Sequence, residues 1–240
     1  MVAKKIKAER RHEAILRDLV GQIVSGVIPV ASRVPYESEI MARYAVSRTV
    51  AREAIQRMAG FGLVEVRRRS GAIVTPTARW NMLEPAVLDA TMSGKPTAAF
   101  FTGLFEARLM LEPEAAALAA ARIDAAALDS MAAALTVMRS APLQDSFVDA
   151  DMHFHATILD ATGNWVLRQF AGAIRAALLA SIRLSRARSP SPTLDRSIDM
   201  HDQVLSAIRT GDAVRSRTAM AWLLTAARVE VEAALKEDAP

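Results

Sequence analysis

The segment from Ser47 to Met58 carries side chains that could read the base edges of duplex DNA. Ser47 is a suitable N-cap for a helix, and a rotation of about 100° per residue then sorts the side chains into two faces. The apolar face holds Val50, Ala51, Ala54, Ile55 and Met58, and the hydrogen-bonding face holds Arg48, Thr49, Arg52 and Gln56. Such a helix fits the major groove, although an ordinary amphipathic surface helix shows the same pattern.

The elements around this helix favour DNA binding. Residues 33–58 predict two short helices joined by a tight turn, and residues 9–25 predict an amphipathic helix before them, ended by Gly26. Across residues 60–74, apolar and polar residues alternate on both sides of a tip rich in arginine, which predicts a β-hairpin. Three helices followed by a two-stranded wing form a winged helix-turn-helix, in which a basic wing tip suits contacts to phosphate.

The charge distribution separates the chain into two parts. Residues 1–79 contain 15 Lys and Arg against 7 Asp and Glu, whereas residues 80–240 contain 15 against 19. The basic excess is therefore N-terminal, as expected for a polyanion-binding module joined to a domain with another role.

Composition narrows the class of protein further. The chain has 240 residues, of which 52% are apolar and 23% charged, and it has no cysteine, which excludes disulfides and thiolate metal sites. Its N-terminus lacks the apolar segment of a signal peptide, and no run approaches the roughly 18 apolar residues of a membrane span. We expect a cytoplasmic protein with no membrane contact.

The second part of the chain predicts helices only, because glycine and proline fall at segment boundaries and no strand pattern is present. The predicted helices are 84–93, 97–122, 124–140, 145–161, 164–188, 194–210 and 212–237. The expected fold is therefore mainly α: a winged helix-turn-helix at residues 1–76, a linker at 77–82, and a seven-helix antiparallel bundle at 83–240.

Motifs of the first domain occur in a specific order: Val27-Ile28-Pro29, Val34-Pro35-x-Glu37-x-Glu39-Ile40, the run Val46–Ala54, Gly62-Leu63-Val64 and Gly71-x-x-Val74. In order and spacing they resemble the DNA-binding head of GntR-family bacterial transcription regulators. The resemblance implies that Arg48, Thr49 and Arg52 read the operator and that the wing approaches DNA at Gly71. We place Ser47, Gln56, Arg68 and Arg69 at the same surface.

Three residues depart from the pattern of this family. Ala31 stands where a turn glycine is usual, and Tyr36 replaces the Ser or Thr that usually caps the first helix of the motif, at a cost of roughly 0.5–2 kcal/mol. Ser38 occupies a position where some members have a DNA-contacting arginine.

The second domain has its own motifs: Phe105-Glu106-Ala107-Arg108 with Leu111-Glu112-Pro113, Asp151-x-x-Phe154-His155 with Gly163-Asn164, His201 with Ala207-Ile208 and Gly211-Asp212, and Ala219-Met220. They resemble the ligand-sensing FCD domain of the FadR-type branch of the family. In most members the residues at Asp151, His155 and His201 would bind a divalent metal such as zinc or nickel. Leu223 stands where the fourth ligand is expected, so the three residues either form a weaker metal site or line a polar cavity.

Arg108 is the candidate effector contact, because it lies on an otherwise apolar helix next to Leu104, Leu109 and Leu111. It either pairs with Glu112 one turn away or binds an effector carboxylate together with His155 and His201. Residues 79–88 also resemble the linker of regulators that answer to sugar acids such as galactonate. We therefore expect an aldonic or related hydroxy acid, ahead of dicarboxylates and fatty acyl thioesters.

The function predicted from the sequence is that of a ligand-responsive transcription regulator and not of an enzyme. We expect a homodimeric repressor of a carboxylate catabolic operon that binds a pseudo-palindromic operator and is released by a small acid. Two alternatives are an all-helical metal-dependent phosphohydrolase, suggested by His153, His155 and the dipeptide His201-Asp202, and an architectural DNA-binding protein without an effector.

Overall fold

A computed structural model describes residues 2–94, 97–140, 145–172, 174 and 192–237. The elements in chain order are α1 (Val2–Val24), α2 (Glu37–Tyr44), α3 (Arg48–Gly60), β1 (Val64–Arg67), β2 (Gly71–Val74), α4 (Pro85–Ser93), α5 (Ala98–Ala120), α6 (Ala125–Ser140), α7 (Asp145–Ala161), α8 (Trp165–Arg168), α9 (Pro192–Arg209) and α10 (Ala213–Glu237). The mainly helical fold predicted from the sequence is confirmed. None of the described helices is long and apolar enough to cross a membrane.

The chain forms two compact units, residues 1–95 and residues 96–240. In the N-terminal unit, α1, α2, α3 and the hairpin share one apolar core, whose fully buried members include Leu19, Val20, Ile40, Ala51, Met58 and Leu63. The helical spacing of these residues on α1 and α3 explains why each helix buries one face and leaves the other in solvent.

The two strands of the wing pair antiparallel, with Val64 opposite Val74 and Arg67 opposite Gly71. The loop before α2 lies along the other edge of β2, where Val34 N–H donates to the carbonyl of Ala72 at 2.9 Å. Ala31, which replaces the usual glycine of this loop, has φ of 65°, a conformation that costs a side-chain-bearing residue free energy. The loop thus anchors the wing to the helix-turn-helix.

The structure divides the chain further along than the boundary predicted from the sequence. Residues 77–82, expected to be a linker, begin with a short 3₁₀ helix (Thr77–Arg79), and Trp80 and Met82 pack against the N-terminal core. The following helix, α4, packs against α1 and buries Val87 completely in that core. Apolar side chains therefore attach α4 to the first unit, and the division falls near residue 95.

The C-terminal unit is built around α5, which packs most extensively against α10. Small buried residues on α5, among them Ala115, Ala116 and Ala119, allow this close approach. The pair α6 and α7 packs alongside, and the shared core includes Phe154 and Leu223. The sequence predicts one helix over 164–188. In the structure α8 ends at Arg168, residues 171, 172 and 174 are helical again, and the rest of the predicted span lies outside the described residues.

Candidate DNA-binding surface and effector site

The face of α3 predicted to meet DNA is exposed. Ser47 caps the helix by accepting a hydrogen bond from Val50 N at 3.4 Å. Ala51, Ala54, Ile55 and Met58 are buried, whereas Arg48, Thr49, Arg52 and Gln56 are all exposed. The division of α3 into two faces therefore follows the predicted rotation, and its long polar side chains are available to a partner.

Two arginines at the wing tip have no acidic partner among the described residues. Arg67 lies 3.2 Å from Glu65, so part of its charge is already balanced within the hairpin. Arg68 and Arg69 are exposed and form no ion pair within the described part of the chain. Arg69 adopts φ of 68° at the turn. The tip thus presents two free positive charges to solvent.

The missing N-cap of α2 is partly replaced by an acid in the first turn. The backbone N–H of Tyr36 donates to Glu39 Oε2 at 2.5 Å, which is one half of a capping box. This backbone hydrogen bond, together with Arg33, lowers the pKa of Glu39. Ser38 is exposed, so α2 offers a short hydroxyl where some family members carry an arginine.

In the C-terminal unit, three helices bring ionisable side chains together in the interior. Arg108 and Glu112 come from α5, Asp151 and His155 from α7, and His201 from α9, and all five are at most 5% exposed. Spacing by four residues places each pair of α5 and α7 on one helical face. The predicted grouping of Asp151, His155 and His201 is therefore present, with one ligand atom from each lying within 4.8 Å of the others.

The contacts within this buried cluster form a chain. Arg108 Nε donates to Glu112 Oε1 at 2.5 Å, and Glu112 Oε2 lies 2.5 Å from His155 Nδ1. His155 Nε2 is 3.4 Å from Asp151 Oδ1, and the same oxygen lies 3.0 Å from His201 Nε2. Among the described residues, Arg108 Nη1 has no hydrogen-bond partner. One donor of the buried guanidinium is therefore left over.

In this cluster, pairing with opposite charges shifts the pKa of Glu112, Asp151 and His155 more than burial does. Burial alone would raise the pKa of Glu112, but the charges of Arg108 and His155 lower it to about 2. Burial would lower the pKa of His155, yet Glu112 and Asp151 raise it to about 9. The pKa of Asp151 is lowered because His201 and His155 offset its burial. The two carboxylates are thus held ionised inside the protein.

The ring nitrogens of His201 show what this arrangement requires. Nδ1 lies 2.7 Å from the carbonyl oxygen of Ser197, an acceptor only, so Nδ1 carries a proton. In the neutral ring, Nε2 would then direct a lone pair at the Asp151 carboxylate 3.0 Å away. Two acceptors at that distance repel each other. A cation bound between them would remove this repulsion.

Other predicted residues lie apart from the cluster. His153 points to the surface, where its Nε2 is 2.6 Å from Ser130 Oγ, as its position on the helix predicts. Asp202 is exposed and pairs with Arg139 at 3.3 Å. Because these groups do not join His155 and His201, the His-Asp arrangement that suggested a phosphohydrolase is not assembled.

The sequence did not indicate the role of Glu112 in full. The sequence predicts Glu112 as the intrahelical partner of Arg108, a contact that is present, but Glu112 also contacts His155. These two residues are 43 positions apart, so only the packing of α5 against α7 reveals their contact. The backbone carbonyl of Ser197, which orients His201, also has no sequence signal.

Comparison with known proteins agrees with both units. Residues 11–74 match the family described as bacterial regulatory proteins, gntR family, and residues 103–226 match the FCD domain. The chain belongs to the GntR family. Its helix-turn-helix implies DNA binding and its FCD domain implies a small-molecule effector, so it is a ligand-responsive transcription regulator. The members compared are regulators, a class of proteins that are not enzymes.

Two relatives and one solved structure illustrate the match. The galactonate operon transcriptional repressor of Escherichia coli is 28% identical over 84% of this chain and 88% of its own length. The Exu regulon transcriptional regulator of E. coli is 29% identical over 88% of this chain and 80% of its own length. The structure of Lar, which controls expression of the Listeria monocytogenes agr system, superposes with a TM-score of 0.67 at 15% identity, covering 92% and 96% of the two chains.

We predict that Glu112→Gln destabilises this family member by about 3–5 kcal/mol, because the change leaves Arg108 as an uncompensated buried charge. Urea unfolding of the full chain measures the loss. Glu114→Gln, on the same helix, is the matched control: Glu114 pairs with Arg217 at 2.6 Å on the surface, where a pair is worth at most about 1 kcal/mol. Equal losses in the two variants would contradict a special role for the buried pair.

Proposed function

We propose that the protein is a repressor that releases its operator when a sugar acid or related hydroxy acid binds in the C-terminal unit. The observation that carries the proposal is Arg108 Nη1, a buried donor with no partner among the described residues, on a guanidinium linked through Glu112 to His155. A buried guanidinium donor without an acceptor is costly, and an acid carboxylate would satisfy it. The name of the galactonate operon repressor supports a sugar acid as the effector class.

The donor atoms of the proposed effector site would also suit a divalent metal. Ligand bonds of about 2.0–2.2 Å place neighbouring donor atoms roughly 3 to 3.5 Å apart, and Asp151 Oδ1 lies 3.0 Å and 3.4 Å from the two histidine Nε2 atoms. Glu112 and the Ser197 carbonyl anchor the other ring nitrogens, as partners of metal-binding histidines do. We propose that Asp151, His155 and His201 hold zinc, nickel or a similar ion.

A bound ion would supply positive charge and open coordination positions for the oxygens of the acid. Both histidines would bind the ion as neutral rings, and Arg108 balances Glu112, so the two charges of the ion would exceed the single charge of Asp151 by one. An effector carboxylate would neutralise that excess. Leu223, where a fourth ligand is expected, is buried in the apolar core and cannot ligate, which would leave a coordination position open for the effector but weaken metal binding.

The proposed DNA surface combines the exposed face of α3 with the wing tip. The residues that would meet base edges are Arg48, Thr49, Arg52 and Gln56. The DNA backbone would lie near Ser47 and Gly71, and its phosphates would be contacted by Arg68 and Arg69.

One such head makes few base contacts, so we propose a homodimer that binds two half-sites. Exposed apolar residues of α5 and α10 support dimerisation through the C-terminal unit: Met110, Leu118, Val214, Trp222 and Val229.

We predict that Arg52→Ala weakens binding to the operator by roughly 1–3 kcal/mol and relaxes the preference for operator over random DNA, because a base contact is lost. Arg69→Ala should weaken binding to both DNAs alike and reduce the salt dependence, because a phosphate contact is lost. Gel-shift titrations at several salt concentrations measure both effects. Light scattering of the complex should give two chains per operator.

Arg139→Ala is the control for charge alone, since Arg139 lies on α6 and pairs with Asp202. Its operator binding should match that of the wild type. An Arg52→Ala variant that retains the full sequence preference would exclude this residue from readout, and a complex containing one 25.9 kDa chain would exclude the dimer.

For the metal, we predict weak binding that chelators remove. After treatment with chelator, titration with nickel or zinc against a chromophoric competitor should show one site per chain. Asp151→Asn should weaken it by about 100-fold, since even outer-shell partners are worth about 10–100-fold. Leu223→His should tighten it by restoring the family's fourth ligand. Unchanged affinity in both variants would place any bound metal elsewhere.

For the effector, calorimetry should find a binder among aldonic acids such as galactonate and gluconate, with dicarboxylates weaker and fatty acyl thioesters weakest. Arg108→Lys keeps the positive charge beside Glu112 but removes the second donor of the fork, so the acid should bind at least about tenfold more weakly. Gel shifts should show that the same acid lowers operator affinity.

Arg217→Lys is the matched control for this measurement, because Arg217 forms a two-bond pair with Glu114 on the surface of the same unit. It should bind the acid as the wild type does. Equal binding by Arg108→Lys, or no binder among the acids, would remove the basis of the proposal.

A further inference from the structure

Tyr36, which stands where the family usually has a capping Ser or Thr, makes contacts that a capping residue would not make. The guanidinium carbon of Arg33 lies 3.6 Å from the centroid of the Tyr36 ring, a close cation–π contact. Arg33 Nη1 also pairs with Glu39 Oε2 at 3.1 Å, and the same oxygen accepts the Tyr36 backbone N–H. Backbone and ring of Tyr36 are therefore both held at the start of α2.

The Tyr36 ring lies against the first residue of the second wing strand. A Cβ atom added to Gly71 would be 2.9 Å from Cε1 and 3.3 Å from Cδ1 of Tyr36. Gly71 also has φ of 78°, so two independent constraints favour glycine there. The absence of a side chain at Gly71 lets the ring support the hairpin directly, next to its turn.

The position of the ring connects this support to the DNA-facing surface. Tyr36 is 43% exposed and lines a cleft of about 410 Å³ between α2, α3 and the wing. Arg48, Arg52 and Gln56 line the same cleft from the α3 side. The ring thus lies between the reading face of α3 and the hairpin that carries Arg68 and Arg69.

We propose that Tyr36 is a positioning residue for DNA binding, whose ring fixes the wing so that its arginines meet phosphate while α3 occupies the groove. A two-stranded hairpin is marginally stable by itself, and a wing that has to be ordered on binding costs affinity. Arg33 and Glu39 hold the ring, and the ring holds the wing at Gly71. The inference rests on the proposed wing contact to DNA.

The test compares Tyr36→Ser and Tyr36→Phe in the wild-type chain and in an Arg68→Ala/Arg69→Ala background. Ser is a good N-cap, so Tyr36→Ser should keep α2 folded and remove only the ring. Operator binding should weaken about tenfold in Tyr36→Ser, with a smaller salt dependence, and stay within about twofold of wild type in Tyr36→Phe. In the background without wing arginines, Tyr36→Ser should have no further effect.

Circular dichroism and melting curves of each variant check the fold, and Tyr44→Phe, at the other end of α2, is the control for loss of a tyrosine hydroxyl. An equal loss with Tyr36→Ser in both backgrounds would overturn the inference, because the ring would not act through the wing. So would an equal loss in Tyr36→Phe, which would assign the effect to the hydroxyl. Wild-type binding by the Arg68→Ala/Arg69→Ala chain would instead overturn the wing contact in the proposed function.

Discussion

The pairing of buried charges at the junction of α5, α7 and α9 is the interaction on which the C-terminal unit depends. An isolated charge inside a protein costs several kcal/mol, so each group of the cluster requires its partner. Glu112 lies between Arg108 and His155, and Asp151 lies between His155 and His201. Sliding any one of the three helices would leave an unpaired charge in the apolar core. The cluster therefore fixes the relative positions of the three helices more precisely than hydrophobic contacts alone would.

The same cluster supports the proposed ligand site. Among the described residues, Arg108 Nη1 has no acceptor, and two histidine nitrogens lie against one carboxylate oxygen. A bound anion would satisfy the first group, and a bound cation would suit the second. A sensor requires this difference, because a ligand shifts an equilibrium only by as much as it stabilises one state over another.

In the N-terminal unit, close packing against two glycines positions the wing and the segment that follows it. A Cβ atom at Gly62 would lie 2.1 Å from the carbonyl oxygen of Arg79, and one at Gly71 would meet the ring of Tyr36. These approaches hold the segment after the wing and the wing itself against the helices. Tyr36 lacks the side-chain cap of Ser or Thr, but Glu39 accepts a hydrogen bond from its backbone N–H and so replaces part of that cap. The Tyr36 ring in turn packs against the hairpin at Gly71.

The sequence by itself determined the features that depend on local periodicity. The two faces of α3, the hairpin with its basic tip and the shared face of Asp151 and His155 follow from residue spacing, because a helix or strand repeats within a few positions. Motif resemblance added His201 to that pair. Only the tertiary structure decided the contact of Glu112 with His155, the packing of the Tyr36 ring against Gly71 and the packing of α4 against α1. Each joins residues from different elements, so it depends on how the chain packs and has no signal in local spacing.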